Sequence, residues 1–227
     1  MKNIIYTCAC FALLCCSVFS KQRTCRILFL DRPDQAPKTL HMFDGKGAQE
    51  VELPKMNLSK IYSLPADCVK LTLAPKPTDG AKSIPEGAPT VEVPLDATDF
   101  YLIVTNDPTN NVAPVQINLI DASTDGFGPG KMLWYNFSSK AIQGQIGSEK
   151  LELQPSQLTV LKEPAEGKGH VDVKLSYFRR ENQLRSICIT KWSYDPDSRT
   201  IGFIFNVKGK LTPKVQNFID FRTNKAN

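Results

Sequence analysis

Between Lys131 and Leu161 the chain sets four short apolar or alternating runs at hairpin spacing: Met132 to Phe137, Ala141 to Ile146, Lys150 to Leu153 and Leu158 to Leu161. Ser138-Ser139-Lys140, Gly147-Ser148-Glu149 and Pro155-Ser156 separate them with turn chemistry, so the stretch predicts a β-meander. Elsewhere Val51-Glu52-Leu53, Val91-Glu92-Val93 and Val171-Asp172-Val173 alternate apolar and polar residues, the period at which a half-buried strand turns every second side chain inward. Helix-period apolar patterns of useful length are absent. The core is therefore expected from packed sheets.

The first half reads the same way. Cys25 to Leu30, Thr39 to Phe43, Glu50 to Leu53, Ser59 to Leu64, Cys68 to Leu73, Val91 to Leu95 and Phe100 to Thr105 are strand candidates, punctuated by Asp31-Arg32-Pro33-Asp34, Asp44-Gly45-Lys46-Gly47 and Pro65-Ala66-Asp67. Ala74 to Pro89 turns to Pro, Gly, Lys and Thr and predicts an exposed loop. The two halves echo each other in order. Lys38-Thr39-Leu40 resembles Lys140-Ala141-Ile142, Glu50-Val51-Glu52-Leu53-Pro54 resembles Lys150-Leu151-Glu152-Leu153-Gln154-Pro155, and Val69-Lys70-Leu71 resembles Val173-Lys174-Leu175. Ala113 to Asp121 lines up with Thr212 to Asp220. This predicts an all-β protein of two tandem immunoglobulin-like β-sandwich domains, 21–122 and 131–227, related by internal duplication and joined by a small-residue linker, 123–130. The strand from Met132 should take the place in its domain that Arg26 to Leu30 takes in the first, with the linker lying at the surface as a hinge.

Residues 1–20 change the picture of where the protein resides. A lysine precedes an apolar run from Ile4 to Phe19, and Val18 and Ser20 occupy the small-residue positions before a cleavage point, which reads as a signal peptide cut after Ser20. A membrane anchor is the alternative, disfavoured because a span needs roughly 20 apolar residues; lipidation at Cys15 or Cys16 is a further one. Cleavage removes four of the seven cysteines. Cys25, Cys68 and Cys188 remain, suiting one disulfide and one inert thiol in an oxidising compartment. Cys25 and Cys68 both open strands of the first domain and are the expected pair, while Cys188 is expected on a buried face with Leu184 and Trp192. The net charge of +5 is spread along the chain and excludes a nucleic-acid footprint.

Candidate chemistry is sparse. His41 and His170 have no motif partner, and catalytic, cofactor and metal signatures are missing, so no cofactor and no enzymatic activity are expected. Asp121-x-Ser123-x-Asp125-Gly126 opens like a calcium loop, but Met132 stands where the bidentate glutamate belongs, and a linker turn is the better reading. Asp195-Pro196-Asp197-Ser198 reads as another turn. Trp134 and Trp192, with Tyr135, Phe137, Tyr177, Phe178 and Tyr194 nearby, suit packing rather than a sugar platform. Arg179-Arg180-Glu181-Asn182-Gln183 predicts a polar hairpin tip between Val171–Phe178 and Leu184–Trp192. Asn57-Leu58-Ser59 and Asn136-Phe137-Ser138 fit the glycosylation pattern, Asn136 in mid-strand.

An export signal followed by two β-sandwiches resembles, in architecture, the periplasmic pilus-assembly chaperones, although the Arg and Lys pair with which those hold a subunit's terminal carboxylate has no located counterpart here. Leu133-Trp134-Tyr135-Asn136-Phe137-Ser138 followed by Ile142-x-Gly144-x-Ile146-Gly147 resembles uncharacterised exported two-domain proteins of Gram-negative bacteria. The expected function is a non-enzymatic binding or structural role in the cell envelope, periplasmic or secreted, toward a protein or glycan, with no nucleic-acid partner and no transmembrane span after cleavage. The alternatives are chaperone-like subunit binding, which would need an exposed hydrophobic edge strand with two nearby cations, and a hydrolase on a β scaffold.

Overall fold

A computed structural model describes residues 22–221 apart from 124–125 and 181–182; the expected signal peptide, residues 1–20, lies outside the described residues. The first half forms β1 (Arg23–Phe29), β2 (Thr39–Phe43), β3 (Ala48–Glu52), β4 (Tyr62–Leu64), β5 (Lys70–Ala74), β6 (Thr90–Glu92), β7 (Asp99–Asn106) and β8 (Val115–Asp121). The second forms β9 (Met132–Asn136), β10 (Ile142–Ile146), β11 (Glu149–Leu153), β12 (Leu158–Leu161), β13 (Gly169–Arg180), β14 (Gln183–Tyr194), β15 (Arg199–Phe205) and β16 (Lys214–Asp220). The predicted exposed loop holds a 3-10 turn, Ala81–Ser83, and is otherwise irregular.

Four four-stranded sheets result, in the orders β4-β1-β7-β8, β3-β2-β5-β6, β12-β9-β15-β16 and β11-β10-β13-β14. Adding eight to each strand of the first half reproduces the second, down to the parallel pairing of β1 with β7 and of β9 with β15 inside otherwise antiparallel sheets. The strand from Met132 thus occupies the place of the strand through Arg26, and β16 that of β8. Each half is a sandwich with its own core: Ile27, Phe29, Leu40, Leu71, Phe100 and Leu102 in the first, and Met132, Trp134, Ile142, Leu153, Val173 and Ile204 in the second.

The inner sheets explain the unbroken apolar runs. On β1, Ile27 and Phe29 face the first core while Leu28, and Leu30 just beyond the strand, face away; on β7, Phe100, Leu102 and Val104 face the core while Tyr101 and Ile103 face away. On β15, Ile204 faces the second core and Ile201, Phe203 and Phe205 point the other way. The residues facing away meet one another in a middle core completed by Leu133, Phe127 and Phe218. Strands buried on both faces read as continuous hydrophobic runs rather than alternations, and every residue of β15 is buried. The molecule is thus a stack of four sheets, with the two sandwiches packed through their inner sheets.

A charged cluster sits in this middle layer. The Asp220 carboxylate, 0% exposed, accepts from Arg26 Nη1 at 2.6 Å, Arg199 Nη2 at 2.9 Å and the Tyr101 hydroxyl at 2.5 Å. Arg199 also donates to Asp99 at 3.0 Å and to the carbonyls of Ala122 and Phe127, its guanidinium lying over the Phe127 and Tyr101 rings. Both sandwiches meet on this one carboxylate, and the segment between them joins the cluster through Arg199. The described part of the segment is held at two points, at Phe127, which is 2% exposed, and at Gly130, whose carbonyl accepts from the Tyr194 hydroxyl at 3.0 Å, while Gly126 and Pro129 are exposed.

Candidate functional site

The halves differ most at one sheet edge. β6 has three residues and lies against β8, with Val91 and Leu119 packed on the first core. Its counterpart β14 has twelve residues and does not close onto β16 in that way. The lengthening comes from the connection: β5 and β6 are joined through the long irregular loop, whereas β13 and β14 are the arms of one hairpin, paired from Gly169↔Tyr194 to Arg180↔Gln183. Arg179 and Arg180 are exposed at its tip, as predicted; Glu181 and Asn182 lie outside the described residues.

β14 is an outermost strand of its sheet and spans roughly 40 Å at the usual rise per residue, with one side of its backbone paired to no strand among the described residues. Its exposed side chains mix large apolar groups with Arg185 and Lys191. Ile189 is 75% exposed and Leu184 43%. Register shifts between Leu175 and Ser176 and between Phe178 and Arg180 break the pleat, and Ile187 and Cys188 are both half-buried against the second core. Along the open side between β14 and β16 runs a groove of ≈ 440 Å³ lined by Ile187, Val207, Pro213, Val215, Lys210 and Lys214. Leu211, 78% exposed, stands on the loop forming its lip.

The other sequence candidates resolve into structural roles. Trp134 and Trp192 stack at 5.4 Å and 15°, Trp134 fully buried and Trp192 half-buried on the second core, which is packing. Asn136, 0% exposed, donates from Nδ2 to the carbonyls of Lys140, Leu153 and Gln154, while its Oδ1 accepts from the Ser138 amide and hydroxyl. That side chain is a buried turn-former and not a glycan acceptor. Asp121 accepts from the Ser123 amide and hydroxyl, a local turn; Asp125 lies outside the described residues. Asp195 likewise accepts from the Asp197 amide and pairs with Lys168, whose hydrogen bond holds the carboxyl below its usual range. His41 is half-buried on β2 opposite Glu50, and His170 is exposed on β13 opposite Ser193. Among the described residues no group of three or more His, Cys, Asp and Glu could hold a metal ion.

Cys25 and Cys68 are both buried in the first core. Cys68 Sγ is directed at the Lys70 carbonyl at 3.5 Å. Burial pushes the Cys68 thiol up, away from the reactive thiolate. Burial raises Cys188 too, but it is half-buried rather than buried, because β14 lies at an edge. Its expected companion Leu184 faces solvent, since the shifts in register intervene.

Two features escaped sequence reading. Arg26, Arg199 and Asp220 stand in apolar strands, and a charge interrupting such a run is the signal that could have pointed to a buried cluster. The openness of β14 had no signal beyond Ile189, flanked by cysteine and threonine. No protein-family model matches the chain, and no curated protein matches it. Among the described residues no helix is long and apolar enough to cross a membrane.

Proposed function

We propose that this protein is an exported, non-enzymatic binding protein of the cell envelope that takes up an extended segment of a partner polypeptide along β14. The uncovered twelve-residue edge carries the reading. An unpaired strand edge offers regularly spaced amides and carbonyls, and a further strand adds to it by main-chain hydrogen bonds with pockets for alternate side chains. The groove beside Ile187 and Val215 is such a pocket. The exposed hydrophobic edge with cations near it, Arg185 and Lys191 on the strand itself, is what chaperone-like binding requires. In this reading the two sandwiches are immunoglobulin-like modules descended from one ancestor: the first closed its edge on itself, the second left it open, and the middle core holds the second rigid. The stacking of buried Trp134 on half-buried Trp192 in the second core favours a polypeptide over a glycan.

A photo-crosslinking residue at Ile189 tests this in cells exporting the full chain, with the same residue at Ile61, half exposed on the first sandwich, as control. Discrete polypeptide adducts at position 189 and none at 61 are expected. Equal yields at both positions, or adducts at 61 alone, would refute binding along β14.

A further inference from the structure

Resting on that reading of β14, we infer the chemistry of its partner: an extended segment that carries both aliphatic and acidic residues. Two stretches frame the open side, 183–194 and 206–214. Together they carry Arg185, Lys191, Lys208, Lys210 and Lys214 and not one Asp or Glu. Lys191 meets Asp172 at 3.7 Å and Lys214 meets Asp31 at 3.3 Å, whereas Arg185, Lys208 and Lys210 enter no ion pair among the described residues and are all exposed. The apolar groups are interleaved with these charges: Ile189 lies between Arg185 and Lys191, and Leu211 beside Lys210.

A strand laid on β14 sends successive side chains to opposite faces. The groove side offers apolar Ile187, Val207 and Val215 together with Lys210 and Lys214, and the outer face offers exposed Ile189 with Lys191; the apolar groups take aliphatic side chains, and the cations select carboxylates and disfavour basic segments. A second copy of this chain is a poor occupant. Antiparallel pairing of β14 with itself would bring Arg185 and Lys191 of one copy near those of the other, like charges that oppose the contact.

The test uses the intact protein and fluorescein-labelled peptides of twelve residues alternating valine with glutamate, with threonine, or with lysine, read by anisotropy at low and high salt and by amide exchange on β14. The glutamate peptide is expected to bind about tenfold more tightly than the threonine peptide, and the lysine peptide most weakly, as two exposed charge contacts would give. The variant Lys208→Glu with Lys210→Glu should erase the glutamate preference, and salt should do the same. Equal binding of all three peptides, or a preference that survives the double variant, overturns the acidic partner yet leaves strand addition standing. Failure of every peptide to protect β14 amides overturns strand addition itself. Capture of phosphatidylglycerol vesicles in place of peptides, lost in the double variant, would assign the cations to a lipid surface. A concentration-dependent dimer that excludes peptide would assign the edge to a second copy. Either result overturns the inference.

Discussion

Removing the Asp220 carboxylate should loosen the whole stack. In the native protein it accepts from Arg26 and Tyr101 of the first sandwich and from Arg199 of the second, and it is 0% exposed. Asp220→Ala leaves Arg199, with 4% of its side chain exposed, beside Asp99 alone, and takes the ion partner of Arg26 away. Breaking a buried pair by deleting one partner costs roughly 3–5 kcal/mol, because a desolvated charge is left behind. At roughly 2–4 °C per kcal/mol for a chain of this size, a loss of about 4 kcal/mol lowers the melting temperature by about 8–16 °C. Circular dichroism melts of the wild type, Asp220→Ala and the near-isosteric Asp220→Asn measure it, with Arg199→Met and the Arg199→Met/Asp220→Ala double variant closing a cycle. The double variant should be damaged less than the sum of the single ones, by about 1–3 kcal/mol of coupling. An Asp220→Ala melt within 2 °C of wild type, or strict additivity, would refute the claim that this cluster clamps the two sandwiches.

Two further outcomes are expected. A Cβ at Gly202 would lie 2.4 Å from the Trp134 ring, so Gly202→Ala must displace a fully buried tryptophan; about 1–3 kcal/mol of stability should be lost with a change in tryptophan emission, and an unperturbed melt would contradict the packing. Burial, and next the charge of Asp220, raises the Tyr101 hydroxyl above its ordinary value and keeps it protonated; the folded state therefore holds that proton when the unfolded chain has released it, and stability present below about pH 10 falls as pH rises further. Urea midpoints between pH 8 and 11 should decline less steeply in Tyr101→Phe than in wild type, though not to zero slope because burial raises Tyr62 as well, and parallel slopes would count against this.

Local pattern made the strands legible. Thr39 to Phe43 and Leu158 to Leu161 are read at their observed bounds, since turn residues close both ends and alternation fixes the face. The echo between halves was legible for the same reason, and it anticipates the identical strand orders. The middle core was not. The run Ile201-Gly202-Phe203-Ile204-Phe205 announces burial on two faces without saying what covers the second, and only the three-dimensional approach of β15 to the first sandwich answers that. Phe127, set in a stretch of glycine and proline, reads as linker, yet it is buried because its ring meets Tyr101 and Arg199. The candidate site was legible as residues and not as a site. Alternation placed Cys188, Leu184 and Trp192 on one face, and the register shifts within the β13–β14 hairpin, invisible to a two-residue period, separated them. That β14 ends its sheet depends on strand order, which a single sequence does not carry.

Residue-resolved amide exchange along Gln183 to Tyr194 tests the open edge most directly. In the free protein, amides directed at β13 should exchange slowly and those on the uncovered side quickly. The rates should therefore alternate along β14 and lose step near Ile187, where the register shifts. Saturation with an extended glutamate-valine peptide should slow the fast set and leave the other edge strands unchanged. Uniform protection of β14 in the free protein, or peptide-induced protection confined to another sheet, would contradict an edge held open for a partner strand.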